Sequence, residues 1–415
     1  MKILWLSHLI PYPPKGGVLQ RSYHLLNQLT KYHDVDLLAF NQKELIGPLF
    51  SSVAKGEQEA LQHLSAICNK VEFFEIPCDK SPTNKKLLAF KSLFTRFPYT
   101  LNWLLSEQFS ARLKELIDKE KYDFIHFDTI SLAPYLSSCN SIPTSLDHHN
   151  IESHMLFRRA SKETNLIKKL YFFQEGKRLE KYERIYCPKF AFNFTCSDVD
   201  TQRLLEISPT SFAHTIPNGV DTTYFTPEPP LEKKNSLLFI GTLNWYPNIE
   251  AVEFIAQKIW PQIKRDIPET QVDIIGANPP DSIKRVAQND KNFYAHGFVD
   301  DILPYFKQAK CYVCPIKDGG GTKLKILDAL SMGMAIVADP IACEGIDVTD
   351  RKDVVFAETP AQYLAAITEI LIDQKFRETL QLNARNLAVE KYAFDNIGKE
   401  LSLLFQKYQI KMDKT

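Results

Sequence analysis

The chain has 415 residues, more than the roughly 100–200 of an ordinary domain, which predicts two domains. Hydrophobic residues make up 44% and charged residues 24%, a globular balance that excludes disordered, collagenous and disulfide-framework chains. Lys and Arg number 50 and so do Asp and Glu, so the whole chain carries no nucleic-acid signature and an anionic partner must be met locally.

The N-terminal MKILWLSHLIPYPPKGG has one short apolar run stopped by prolines and makes a poor signal peptide. Residues 2–9 read as a strand, IPYPPKGG as a turn, 20–31 as a helix with Leu25, Leu26 and Leu29 on one face, and 35–40 as a second strand. This β-loop-α-β unit, followed by strand-like runs at 71–76, 122–127, 144–149 and 192–197, predicts a parallel sheet with right-handed crossovers. The Pro-, Asn- and Thr-rich stretch 216–235 reads as a linker. Strands then recur at 236–243, 271–276, 292–297, 311–316 and 335–340, alternating with helical segments 248–265, 301–309, 322–332 and 360–373. The expected division is 1–215, linker 216–235, second α/β domain 236–385 and a helical tail 386–415. Sheets of this kind bind ligands at their carboxyl ends, which favours a cleft enzyme without fixing its chemistry.

The segment DGGGTKLKILDALSMG (318–333) places three glycines after a strand and before an amphipathic helix. Such a turn brings backbone N–H groups and the positive end of a helix up to an anion, and Lys323 and Lys325 add charge, so phosphate binding outweighs a plain flexible turn. Asp328, six residues after Thr322, can aim a carboxylate at sugar hydroxyls. Gly16 and Gly17, between the first strand and its helix, allow close backbone approach to a phosphate or acceptor, with a plain turn as the competing reading. Arg21 lies one turn into that helix, within reach of the same mouth.

Other signals are weaker. Asp198-Val199-Asp200 resembles a metal-binding triplet, but the surrounding SDVDTQRLLE reads as Ser197 capping a helix with acids in its first turn. Cys311 and Cys314 form a lone CxxC in an apolar strand, where packed thiols outweigh zinc or redox chemistry. The eight cysteines lack a paired framework, which fits a reducing compartment. No nucleotide fingerprint of the GxGxxG or GxxxxGK[ST] type occurs.

The segment 318–333 resembles the donor site of glycosyltransferase family 4, the retaining nucleotide-sugar transferases of the GT-B fold, in a Gly-Gly-Gly-Thr variant. IPNGVDTTYF (216–225), FIGTLNWYPN (239–248), HGFVDDILPYF (296–306), ACEGI (342–346) and Gly16-Gly17 with Arg21 fit the same family in order. The resemblance implies an α/β fold of two Rossmann-like domains facing across a cleft, with the C-terminal helix returning to the first domain. It implies donor contacts from Gly320, Gly321, Thr322, Lys323, Lys325 and Asp328, a base-side contact at Phe298-Val299, and His149 facing the donor sugar. Two departures stand out. The first of the family's two acidic positions falls on Gly320, which makes Asp318 the candidate to replace it. The Arg and Lys that follow the first strand of the second domain are absent from GTLNWYPN, which shifts the diphosphate clamp to Lys323 or Lys325, where charge develops as the nucleoside diphosphate departs. His148 and His149 lack a third spaced ligand, so no metal is expected, and no cofactor either.

Charge is locally uneven. Residues 80–112 hold six Lys or Arg against Glu107, and 157–190 hold ten against four Glu, both interleaved with apolar residues. Solvated helix faces and docking on an anionic membrane surface explain this equally well. The expected function is a metal-independent retaining transferase that moves a sugar from a UDP- or GDP-sugar to a saccharide or lipid-linked acceptor in bacterial surface-polysaccharide assembly. It is expected to be cytoplasmic and peripheral on the inner face of the membrane. The alternatives are a nucleotide-sugar epimerase or hydrolase of the same fold and a non-catalytic nucleotide-sugar-binding partner, with a nicotinamide oxidoreductase behind both.

Overall fold

Short runs of Ile, Leu, Val and Phe bounded by Gly, Pro, Asn or Asp form strands, and they read as near-continuous apolar stretches because helices cover both faces of each sheet. The structure is a computed structural model, and it describes residues 1–412 apart from 16, 140, 141, 229–233, 319 and 320. Two of the expected site residues, Gly16 and Gly320, lie outside the described residues. The chain divides into two compact units, residues 1–217 with the chain from Ile397 onward, and residues 218–396.

Unit 1 carries seven parallel strands: β1 (Lys2–Ser7), β2 (Asp34–Asn41), β3 (Lys70–Glu75), β4 (Phe124–Phe127), β5 (Thr144–His148), β6 (Phe192–Thr195) and β7 (Ala213–Thr215). Their order across the sheet is β3-β2-β1-β4-β5-β6-β7. The winding therefore reverses between β1 and β4, and a crevice at the carboxyl ends of those two strands follows from the topology alone. The helix Gly17–Thr30 buries Leu25, Leu26 and Leu29 as its spacing predicts.

Unit 2 repeats the scheme with six parallel strands, β8 (Lys234–Ile240), β9 (Gln271–Ile275), β10 (Phe293–Gly297), β11 (Ala309–Cys314), β12 (Ala335–Ala338) and β13 (Val355–Phe356). The order β10-β9-β8-β11-β12-β13 puts its reversal between β8 and β11. Two α/β units of the GT-B type result.

The last helix, Phe394–Met412, returns to unit 1, where Ile397, Leu401 and Phe405 are buried with Ile3, Trp5, Phe124 and Phe194. The return starts later than the expected 386, because Leu380, Ala384, Ala388 and Tyr392 are still buried in the core of unit 2. Phe405 meets Phe124 edge to face at 4.7 Å between ring centroids. Phe405→Ala should therefore cost about 3–5 kcal/mol, the usual loss for a buried phenylalanine. Urea unfolding followed by circular dichroism measures it, and a loss below about 1 kcal/mol would place the helix outside the core.

Candidate active site

In unit 1 the strand ends at the winding reversal deliver polar residues to one spot. Ser7 closes β1 with His8 just beyond it, Asp128 follows β4, Asp147 lies near the end of β5, and His149 comes just after it. Asp128 is completely buried. Its Oδ2 accepts hydrogen bonds from Ser7 Oγ at 2.9 Å, from Ser22 Oγ at 2.9 Å and from His8 Nδ1 at 3.0 Å, while Oδ1 pairs with His149 Nε2 at 3.1 Å. Burial alone would raise its pKa, yet the two histidines hold it well below the usual carboxylate range.

Asp147 is the second buried acid. Arg21 grips it with both ends of its fork, Nε to Oδ2 at 2.8 Å and Nη2 to Oδ1 at 2.5 Å, and donates Nη1 to the Ile216 carbonyl at 2.8 Å. Arg21, expected to reach the cleft, is 4% exposed and commits its Nε, Nη1 and Nη2 to Asp147 and Ile216 inside unit 1. His149 lies 3.1 Å from Asp128 and 3.6 Å from Asp147. Burial works against its positive charge, but the two carboxylates outweigh it and raise its pKa above the ordinary histidine value. His8 goes the other way: burial dominates and lowers its pKa. The pair thus shares one carboxylate with opposite proton preferences, His149 holding a proton more readily than an ordinary histidine and His8 less readily.

Among the described residues, His8, Asp128 and His149 form a group that could hold a metal ion, with ligand atoms all within 4.8 Å of one another. Both rings already pair directly with Asp128, so hydrogen bonds within the cluster satisfy it without an ion. The third ligand that spacing does not reveal is supplied by the fold. His148 points elsewhere, its Nε2 3.2 Å from Asn193 Oδ1 in the interior.

In unit 2 the corresponding reversal gathers the loop after β8, the loop after β11 and the helix Leu324–Ser331. Gly321 adopts φ +68°, a left-handed conformation that suits glycine. The Thr322 hydroxyl is buried with no hydrogen-bond partner among the described residues, a vacancy that native interiors seldom leave. Lys323 is buried, and its Nζ donates to the Gly321 carbonyl at 3.0 Å. Lys325 Nζ donates to Asn248 Oδ1 at 2.7 Å and lies 4.9 Å over the Phe239 ring. A Cβ on Gly241 would collide with that same Nζ. The ammonium therefore occupies the carboxyl end of β8, the place where GTLNWYPN lacks a basic residue of its own.

Burial lowers the Lys325 pKa to about 8. One helical turn on, burial raises the Asp328 pKa to about 7, with Lys325 pulling the other way. Asp318 is buried and accepts a hydrogen bond from the Tyr246 hydroxyl. Phe298 is 70% exposed just past β10, and Val299 packs partly on the core. Gly17 begins the first helix of unit 1.

The discounted signals resolve as expected. Ser197 Oγ accepts the Asp200 N–H at 3.1 Å as a helix cap. Cys311 and Cys314 are buried free thiols in β11. His8, Asp128, Ser7 and Ser22 went unrecognised in the sequence; a polar residue closing an apolar strand run, as in LWLSH and FIHFD, was the available signal.

Residues 234–373 match the family model described as Glycosyl transferases group 1. The match covers about a third of the chain and lies within unit 2. A 44.6 kDa protein in the cps region of Klebsiella pneumoniae is 23% identical over 423 residues, spanning 96% of this chain and 99% of its own. A glycosyltransferase of Methanocaldococcus jannaschii is 25% identical over 186 residues, 42% of this chain and 46% of its own. Among solved structures, sucrose-phosphate synthase of Thermosynechococcus elongatus superimposes with a TM-score of 0.65 at 15% identity, covering 98% of this chain and 99% of the other. Anabaena HepE in complex with UDP and glucose gives 0.62 at 15% identity, covering 98% and 100%. The fold of the whole chain is thus GT-B, and the family match falls on the glycosyl transferase segment that holds Lys325 and Asp328.

Two outcomes test the geometry of unit 1. Arg21→Ala leaves the Asp147 carboxylate buried without its partner and should cost about 3–5 kcal/mol; Arg21→Lys should recover little, because an ammonium cannot span both carboxylate oxygens and a carbonyl. Denaturant unfolding of both variants decides this, and a lysine variant of wild-type stability would contradict it. NMR titration should find the His149 pKa above about 6.5, and Asp128→Asn should bring it below that value.

Proposed function

We propose that the protein is a retaining, metal-independent glycosyltransferase that moves a sugar from a UDP- or GDP-sugar to a saccharide or lipid-linked acceptor in bacterial surface-polysaccharide assembly. Unit 2 holds the nucleotide, and unit 1 supplies His149 and the acceptor surface. The observation that carries this reading is the Lys325 ammonium at the carboxyl end of β8, one turn from the desolvated Asp328, inside the matched segment. A cation, a buried unpartnered hydroxyl at Thr322 and a carboxylate arranged along one strand-loop-helix suit a diphosphate followed by a ribose. The Anabaena protein's complex with UDP and glucose, and the Klebsiella relative's place in a cps region, support the same class of donor and pathway.

In this reading Asp328 accepts hydrogen bonds from the ribose hydroxyls. Lys325, with Lys323 and the backbone of Gly320–Thr322, neutralises the diphosphate, and Phe298-Val299 contact the base. The anomeric C–O bond breaks as negative charge gathers on the departing diphosphate, where a fixed ammonium lowers the barrier. The acceptor hydroxyl adds to the same face of the sugar and passes its proton to the leaving phosphate oxygen. His149, held as the imidazolium by Asp128, donates a hydrogen bond to the sugar, and Asp318 takes the place of the family's first acidic residue. Gly16 and Gly17 bring backbone close to the acceptor.

Thermal-shift binding with UDP, GDP, ADP, CMP and NAD, without metal, tests the site, because a ligand that binds the folded state raises its melting temperature. One nucleoside diphosphate should stabilise the protein, and Asp328→Ala should abolish that shift. A shift with NAD alone, or an unchanged shift in the variant, would sink the reading. Donor turnover in the absence of any acceptor would favour an epimerase or hydrolase.

The pH dependence has a definite sign. Below about pH 7 Asp328 is protonated and accepts from the ribose only as a weaker, uncharged acceptor, so affinity rises with pH up to that point; above about pH 8 Lys325 loses its charge and affinity falls. Binding should peak between the two and drop about tenfold one pH unit outside either edge, measured by calorimetry across the range. Because the raised Asp328 pKa costs the free protein stability as pH climbs from the ordinary carboxylate range to about 7, Asp328→Asn should raise the melting temperature at pH 8 by a few degrees.

A further inference from the structure

Outside the candidate active site, unit 1 exposes an apolar surface that its fold does not use. The helices Glu152–Lys162 and Leu166–Tyr186 form a hairpin joined by three residues. They approach closely where Gly176 faces Phe157; a Cβ there would sit 2.7 Å from the ring. From Gly176 toward the C-terminus the long helix is well anchored. Arg178 donates to the Ser92 and Thr95 carbonyls at 2.6 Å each, and Glu183 accepts the Ser153 N–H at 3.1 Å.

The opposite end is unlike the rest. Asn165 caps the helix by accepting from the Ile167 and Lys168 N–H groups, both at 3.1 Å, so the first turn is properly formed. Yet every residue from Thr164 to Leu170 is exposed. Leu166 is 79% exposed, Ile167 82%, Leu170 68% and Phe173 50%. Positions 166, 170 and 173 share one helical face with Ile167 beside it, and that face continues into a groove against Phe157 with Lys169 and Lys177 among its lining residues. The Arg159 guanidinium lies 4.2 Å over Phe172, and Lys177 Nζ 5.2 Å over Phe157, so cationic side chains are laid along apolar surface. Between Phe157 and Lys177 the sequence has six Lys or Arg against Glu163 and the buried Glu175.

We propose that this hairpin tip docks the protein on an anionic phospholipid surface, with Leu166, Ile167, Leu170 and Phe173 entering the acyl boundary and Lys168 and Lys169 meeting headgroup phosphates. A tip exposed along its whole length is a projection, and a projection of large apolar side chains rimmed by cations fits a deformable anionic surface. Among the described residues no helix is long and apolar enough to cross a membrane, so the contact is interfacial. The inference does not rest on the transferase reading, since it uses no residue of the nucleotide site.

Flotation of the full-length protein with phosphatidylcholine vesicles, and with vesicles of three parts phosphatidylcholine to one part phosphatidylglycerol, tests it. Binding to the anionic vesicles should exceed binding to the neutral ones by about tenfold or more and weaken in high salt. Leu166→Glu with Leu170→Glu, and separately Lys168→Glu with Lys169→Glu, should each reduce it by at least about tenfold, while melting temperature and nucleotide-induced shift stay as in the wild type. Leu166→Trp should show a blue-shifted emission only with anionic vesicles. Equal binding to both vesicle types, or undiminished binding of the Leu166→Glu, Leu170→Glu variant, would overturn the proposal. So would a concentration-dependent dimer that shifts the Leu166→Trp emission without vesicles, which would give the face to a second copy. Vesicle binding without any nucleotide shift would uphold the docking surface and count against the transferase reading alone.

Discussion

A carboxylate shut away from water must gather donors or give up its charge, and the candidate site of unit 1 is organised around that demand at Asp128. Four groups answer it, two serine hydroxyls and two imidazoles, drawn from the ends of β1 and β5 and from the first helix. Because the hydroxyls have no charge to contribute, the electrostatic balance falls to the rings. Two acidic neighbours raise the proton affinity of His149, while burial lowers that of His8. Arg21 completes the arrangement by fixing Asp147 in place. The charge state of the histidine thus follows from a chain of buried partners, none of which needs to touch a ligand.

Unit 2 meets a related demand by a different route. A diphosphate site needs a cation at the end of its first strand, and the residues that follow β8 contain none. The cation arrives from the helix after β11, because that helix starts at the neighbouring strand of the winding reversal and a lysine side chain is long enough to cross to β8. Gly241 leaves the space it occupies. A basic group thus reaches the end of β8 from another stretch of sequence.

This also explains what could be read from the sequence and what could not. Strands β1, β2, β4, β8, β9, β11 and β12 are largely apolar runs that fill a doubly covered sheet, and hydrophobic patterning reveals them. The two-residue β13 and the three-residue β7 are too short to leave a period. The helix after β11 was legible because Ile326, Leu327 and Leu330 fall on one buried face. His8 and Asp128 were not, since they lie 120 residues apart and become neighbours only through the strand order β1-β4-β5. Arg21 carried the right chemical type but the wrong expectation, as its partner stands 126 residues away.

The return of the last helix to unit 1 bears on the order in which the protein can be made. Unit 2 is one uninterrupted stretch, whereas unit 1 is closed by residues that emerge after all of unit 2. During synthesis the sheet of unit 1 waits while the whole of unit 2 emerges with the positions of Ile397, Leu401 and Phe405 unfilled, so Ile3, Trp5 and Phe124 keep an open apolar face. Unit 2 can reach its final state before unit 1, reversing the order in which the two begin to emerge. A nascent chain halted just short of Ile397 would therefore hold a finished second unit and an incomplete first one that chaperones can still engage.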